Sequence, residues 1–262
     1  MENSLNIEEM YRLPWTNEDN PNGWIEVTTY CQLKCPGCYR GLAEENPKRI
    51  HENLEKIKSE IDLLIKSRNI QTLSIAGGEP LLYPKIKEVI EYAHSKGIKT
   101  KIFTNGMLLT KDKLIDLKNA GVTEFVVHID KYQKRPDMKS LREINEFREK
   151  FCKLFREVGN VNLGFIMPVS GEDYSDLSDT IEICKNNSDV VNLLVLSPYK
   201  DVLLNKDKTF NKSKLQNPDI SKLSDFLSKK FESKPCAFLG KIHSKNQPSW
   251  IFMVPVFYGG KI

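Results

Sequence analysis

From residue 24 to residue 197 the chain repeats one pattern: a short apolar run, then a longer stretch with apolar residues three and four apart. A period near two marks a strand and a period near 3.6 marks a helix. Strands are predicted at 24–29, 72–76, 99–103, 124–130, 161–167 and 190–197. Asn46 before Pro47 reads as the N-cap of a first helix carrying Ile50, Leu54, Ile57, Ile61 and Leu64 on one face. Ile86, Val89, Ile90 and Ala93 form the next face, stopped by Gly97, and Thr110 caps a helix stopped by Gly121. A long amphipathic helix carries Leu141, Ile144, Phe147, Phe151, Leu154 and Phe155 to about 158, and a fifth helix spans about 174–187. Strand alternating with helix implies parallel βαβ units. Spacing alone does not choose between an open doubly wound sheet and an incomplete barrel.

The flanks differ from this core. Residues 1–23 read as an irregular leader rich in turn formers, and 201–262 as an extension that shapes a substrate pocket or is incomplete. Within it, 200–218 reads as a loop or linker and 219–232 as a helix. The apolar stretch Trp250–Tyr258 needs a partner surface, supplied by further chain or by the open side of the barrel.

Charge excludes little. The net +4, from 39 basic and 35 acidic residues, is spread along the chain, so no nucleic-acid surface is indicated. No apolar run approaches the ~18 residues of a transmembrane segment, and the acidic, mixed N-terminus is unlike a secretory signal. A cytoplasmic location is expected. Thiols stay reduced there, so the six cysteines are not expected to form a disulfide framework. Cys152 and Cys184 fall on helix faces as small core hydrophobes, and Cys236 lies on no clear face.

The other three cysteines are clustered, in Cys31-Gln-Leu-Lys-Cys35-Pro-Gly-Cys38-Tyr-Arg. Three thiolates on one loop at a strand's end can converge on one metal centre. A structural zinc wants four protein ligands, and no matching Cys or His pair follows nearby. Three cysteines suit an iron–sulfur cluster with one iron left free of protein.

This spacing resembles the three-cysteine signature of radical S-adenosylmethionine (SAM) enzymes. The resemblance covers roughly residues 24–200. It implies a partial (β/α)6 TIM-like barrel with SAM at the carboxyl ends of the strands, in keeping with ligand placement in parallel sheets. It also implies a [4Fe–4S] cluster on Cys31, Cys35 and Cys38, SAM on the fourth iron, and an electron donor such as flavodoxin or ferredoxin. In the family, the reduced cluster cleaves SAM to a 5′-deoxyadenosyl radical that abstracts hydrogen from substrate. The family usually has an aromatic residue before the third cysteine. Gly37 stands there, so Tyr39 is the candidate replacement beside adenine.

Other motifs extend the resemblance. Gly77-Gly78-Glu79-Pro80 ends the second strand and resembles the family's Gly-Gly-Glu-Pro, which binds the SAM amino group; alone, the same residues read as a turn. Asn105, in Phe-Thr-Asn-Gly after the third strand, is expected to face the SAM or substrate cavity, although Asn-Gly also suits a plain turn. His128 and Asp130 share a face at the end of the fourth strand. Asp130 matches a SAM-contacting position, and His128 is a substrate candidate or a satisfied core histidine. Arg135 is a candidate carboxylate or phosphate clamp, or else a solvated surface residue. After the sixth strand, Ser197 is expected near adenine and Tyr199 near substrate.

The reading is therefore an enzyme, an oxidoreductase or transferase acting on a small molecule, lipid or peptide. Its rival is a binding module in which zinc or an iron–sulfur cluster is structural. The multi-cysteine extension of many peptide-modifying members is absent, and so are the added ferredoxin-like cysteines of glycyl-radical activases.

Overall fold

The computed structural model describes residues 5–13, 21–42, 48–199, 217–241 and 244–256. Short strand β1 (Tyr11–Arg12) precedes β2 (Asn22–Thr28), which opens the main sheet. Helix and strand then alternate: α1 (Leu54–Arg68), β3 (Thr72–Gly77), α2 (Ile86–Ser95), β4 (Lys99–Thr104), α3 (Lys111–Ala120), β5 (Val122–His128), α4 (Leu141–Val158), β6 (Asn162–Val169), α5 (Ser175–Asn186) and β7 (Val191–Pro198). Beyond them lie α6 (Ile220–Phe231), β8 (Ala237–Lys241) and β9 (Ser244–Phe252).

The six strands β2 to β7 pair in chain order, all parallel, and the sheet is not closed. This is the expected α/β architecture in its partial-barrel form. Sequential parallel order requires a return crossover between every pair of neighbours, and the helices α1 to α5 provide it. Their apolar faces bury one side of the sheet. Ile75, Ile102, Phe125 and Leu163 meet Ile57 and Ile61 of α1, Val89 and Ile90 of α2, Leu114 and Leu117 of α3, and Phe151 and Phe155 of α4 in one continuous core. Each such side chain contributes about 1.5–3 kcal/mol by burial. The other side of the strands faces the barrel interior and is far more polar, carrying Glu26, Lys101, Glu124 and His128.

Two expectations needed correction. The first helix begins at Leu54, capped by the Asn53 side chain, which accepts from the N–H of Glu55 and Lys56. Ile50 is therefore not helical. Residues 50–52 instead pair with the end of β2: Thr29 N–H donates to Ile50 O at 2.9 Å and Glu52 N–H to Val27 O at 3.0 Å. Asn46 and Pro47 lie outside the described residues, as does 200–216 of the expected loop. The described part of the Trp250–Tyr258 stretch does not close the barrel. Residues up to Phe252 form β9, antiparallel to β8, and β1 pairs parallel to the other edge of β8. The leader and the extension thus share a separate three-stranded sheet, and Met253 just beyond it joins a small core with Leu223 and Phe231 of α6.

Candidate active site

The cysteine loop leaves the carboxyl end of β2 and is clamped on both sides before it starts. On one side Gly78 N–H donates to Thr28 O and Glu79 N–H to Tyr30 O, each at 2.7 Å. This approach is possible only because both neighbours are glycines. A Cβ on Gly77, whose φ is +139°, would lie 2.3 Å from Thr28 O, and one on Gly78 would lie 2.2 Å from Tyr30 O. The glycine pair therefore admits the backbone that carries the cysteines. On the other side Thr28 Oγ1 donates to Ile50 O at 3.0 Å, Arg49 Nη1 to Thr29 O at 2.8 Å, and the Tyr30 ring stacks on His51 at 4.3 Å.

Within the loop, Leu33 is buried and its N–H donates to Cys31 Sγ at 3.4 Å. Cys35 and Cys38 bracket a turn closed by Cys38 N–H on Cys35 O at 3.1 Å, with Pro36 at the position that favours proline. The loop then returns to β2. Tyr39 Oη donates to Glu26 Oε1 at 2.9 Å, and Arg40 Nη1 lies 2.7 Å from Glu26 Oε2. The Tyr39 ring itself is exposed.

All three thiols are partly accessible and free of disulfides. Burial pushes the Cys31 thiol up and the Cys35 thiol up to about 12; the charges of Glu79 and Cys38 add to the first, and those of Cys31, Asp130 and Cys38 to the second. Among the described residues, no three His, Cys, Asp or Glu side chains are grouped for a single metal ion. Three thiols with no fourth protein ligand among the described residues suit a cluster that leaves one iron free better than a structural zinc, which wants four protein ligands.

Glu79 is wholly buried beneath the loop. Oε1 accepts from Thr104 Oγ1 at 2.7 Å and Leu81 N–H at 3.0 Å, and Oε2 accepts from Asn105 N–H at 2.8 Å. Burial pushes its carboxyl up, opposed by these three donors and the charge of Arg135. Pro80, also buried, starts a one-turn 3-10 helix, Pro80–Leu82, that Glu79 caps. Asn105 is buried and central: its Oδ1 accepts from Gln32 Nε2 at 3.2 Å and Met107 N–H at 3.0 Å, and its Nδ2 lies 3.9 Å from Cys31 Sγ.

His128 and Asp130 do meet. His128 Nε2 lies 2.7 Å from Asp130 Oδ2, with the His128 side chain 42% exposed and that of Asp130 1%. The approach is misaligned for a hydrogen bond, and neither of these two buried atoms has a hydrogen bond from any other group. The other oxygen, Oδ1, accepts from Tyr132 N–H at 2.6 Å, which caps a one-turn helix at Lys131–Gln133. The charge of Asp130 raises the Cys35 thiol and that of Arg135 lowers it.

Arg135 is not a solvated surface residue. It is buried, its fork grips Asp137 through Nε at 3.1 Å and Nη2 at 3.0 Å, and Nη1 donates to Asn105 O at 2.6 Å. At the end of β7, Ser197 is half-buried in register with Pro168, and the Tyr199 ring lies 4.7 Å from that of Tyr132.

Sequence reasoning missed Thr104, Gln32, Glu26 and His51 around the loop. It also missed Arg148, which is completely buried: Nη1 lies 2.8 Å from Asp176 Oδ1 and Nη2 donates to Ile129 O at 2.8 Å, next to Asp130. Thr104 alone carried a signal, as the neighbour of Asn105 in the third-strand motif.

The family profile described as Radical SAM superfamily matches residues 25–184. The chain belongs to the radical SAM superfamily. Among curated relatives of this radical SAM chain, the 7,8-dihydro-6-hydroxymethylpterin dimethyltransferase of Methanocaldococcus jannaschii is 26% identical over 204 residues, covering 76% of this chain and 40% of that protein. A probable GTP 3′,8-cyclase of the same organism is 26% identical over 79% of this chain and 68% of its own length. Subtilosin biosynthesis protein AlbA of Bacillus subtilis is 34% identical, over 36% of this chain and 20% of its own. The chain thus spans less than half of the first two relatives in order of similarity, the dimethyltransferase and AlbA. Two solved structures share the fold: Streptococcus suis SuiB bound to S-adenosylmethionine, with TM-score 0.62 and 18% identity over 82% of this chain and 48% of that one, and methylornithine synthase (PylB), with TM-score 0.56 and 19% identity over 82% and 63%.

Proposed function

We propose that this chain is a radical SAM enzyme whose Cys31, Cys35 and Cys38 hold a [4Fe–4S] cluster and whose barrel interior binds a substrate that gives up a hydrogen atom. One observation carries the reading: three partly accessible thiols, held on a loop that is hydrogen-bonded on both flanks, at the carboxyl end of a parallel barrel. When bound, the cluster supplies the electron that cleaves SAM to methionine and a 5′-deoxyadenosyl radical.

The chain's own residues supply position and shielding. Gly77 and Gly78 seat the cysteine loop, and Glu79 ties it through Thr104 and Asn105 to the end of β4. Asp130 Oδ2, buried with only the misaligned His128 Nε2 beside it at 2.7 Å, is an acceptor suited to a hydroxyl or ammonium group of SAM. His128, exposed toward the barrel interior, is suited to a polar substrate group, and Tyr132 with Tyr199 forms an aromatic wall at the same end. Three matched relatives are named for a pterin, GTP and heme and one for biosynthesis of a bacteriocin, and the three support a small molecule as substrate. No helix among the described residues is long and apolar enough to cross a membrane; we place the reaction in the cytoplasm, with flavodoxin or ferredoxin as donor.

Anaerobic reconstitution tests the proposal. The expected product is a brown protein with about four irons per chain that releases 5′-deoxyadenosine from SAM under dithionite. Colourless protein with one bound zinc supports the structural-metal alternative instead.

A further inference from the structure

The three cysteines are not equivalent. Cys31 Sγ receives two N–H groups, from Leu33 N at 3.4 Å and Asn105 Nδ2 at 3.9 Å. Among the described residues, no hydrogen-bond donor to Cys35 or Cys38 sulfur is found. The Asn105 amide is aimed there by its surroundings. Its Oδ1 is occupied by Gln32 Nε2 and Met107 N–H, so its Nδ2 must point the other way. Its backbone is fixed from both ends, with N–H on Glu79 Oε2 and O accepting from Arg135, whose fork is locked on Asp137. At 7% exposure the residue is almost dry, so its dipole is weakly screened.

We infer that Asn105 sets the reduction potential of the cluster by donating its side-chain N–H to the Cys31 ligand. The inference rests on the cluster reading above. Reduction adds one electron to the cluster and places more negative charge on its sulfur ligands. A fixed N–H dipole directed at one of them stabilises the reduced form and raises the potential. Asn105 is thus a positioning residue that touches the ligand sphere and joins it to Glu79. Its identity matters for more than the Asn-Gly turn.

The test is an EPR-monitored redox titration of the reconstituted protein without SAM, comparing wild type with Asn105→Leu, which keeps the approximate shape and removes the Nδ2 donor together with the Oδ1 acceptor. The expected result is that Asn105→Leu makes the cluster about tenfold harder to reduce, a shift of about 59 mV to more negative potential for a one-electron couple. A second measurement does not depend on the variant folding. In wild-type protein labelled with side-chain 15N asparagine, pulsed EPR of the reduced cluster is expected to show a weak 15N coupling. An unchanged potential in Asn105→Leu, or no 15N coupling in wild type, overturns the inference while leaving the cluster intact. A wild-type protein that takes up no four-iron cluster removes the reading beneath it as well.

Discussion

Asn105 N–H donates to Glu79 Oε2 at 2.8 Å, and through this bond the loops that end β3 and β4 hold each other beneath the cysteine loop. Glu79 in turn donates its own N–H to Tyr30 O, one residue before Cys31. The cysteine loop therefore rests on a buried carboxylate that is itself held by three donors. Four expectations follow from this arrangement and its supports.

Glu79→Gln places an NH2 group against donors and is expected to lower stability by about 1–3 kcal/mol, seen as a lower urea midpoint with unchanged slope. The pH dependence has a definite sign. Burial raises the folded-state carboxyl above its unfolded value near 4. The native state then binds the proton more tightly, so the Glu79 contribution to stability falls as pH rises through the window between the two values. The deficit of Glu79→Gln relative to wild type is therefore expected to be largest at acidic pH and to shrink toward neutrality.

Gly78→Ala is expected to cost about 3 kcal/mol or more, because the new Cβ meets backbone that cannot yield. Gly97→Ala is the comparison: φ is +75°, but nothing lies within 4 Å, so only the backbone conformation is strained, at about 1 kcal/mol. Thermal unfolding of both variants separates the two effects.

Arg148→Met strands Asp176, whose side chain is 2% exposed, and is expected to cost about 3–5 kcal/mol. Replacing both partners, Arg148→Met with Asp176→Leu, is expected to recover most of that loss, because no unpaired charge remains. A double-mutant cycle in urea reads the coupling directly.

Arg135→Lys keeps the charge but cannot span both oxygens of Asp137 and reach Asn105 O. A loss of about 1–3 kcal/mol is expected from the unsatisfied buried carbonyl, read as a lower midpoint in urea.

The architecture was readable because its strands are short apolar runs and its helices carry apolar residues at helical spacing; Thr110 and Gly121 start and end a helix where local chemistry demands it. The start of α1 was not readable. Asn46-Pro47 read as the cap, whereas Asn53 caps the helix, because residues 50–52 are held by hydrogen bonds to β2 that periodicity does not encode. The cysteine spacing and Gly77–Pro80 were visible as motifs, but the glycines' immediate partner is backbone at Thr28 and Tyr30, about fifty residues earlier. That distance hides the contact from any local window. Arg148 was hidden for the same reason: a charge on an otherwise apolar helix face gives no sign of an aspartate 28 residues away. Arg135 read either as a clamp or as a solvated residue of a polar loop, and the second alternative fails because Asp137 and the Phe147 ring, 5.2 Å from its guanidinium, enclose it.

Serine substitution at each cysteine, followed by anaerobic reconstitution, iron counting and assay of 5′-deoxyadenosine, tests the central claim most directly. Cys31→Ser, Cys35→Ser and Cys38→Ser are each expected to lose the four-iron cluster and the nucleoside product, while Cys236→Ser, at an exposed site on β8's approach, keeps both. Full iron content and undiminished 5′-deoxyadenosine in any one of the first three variants would contradict the account.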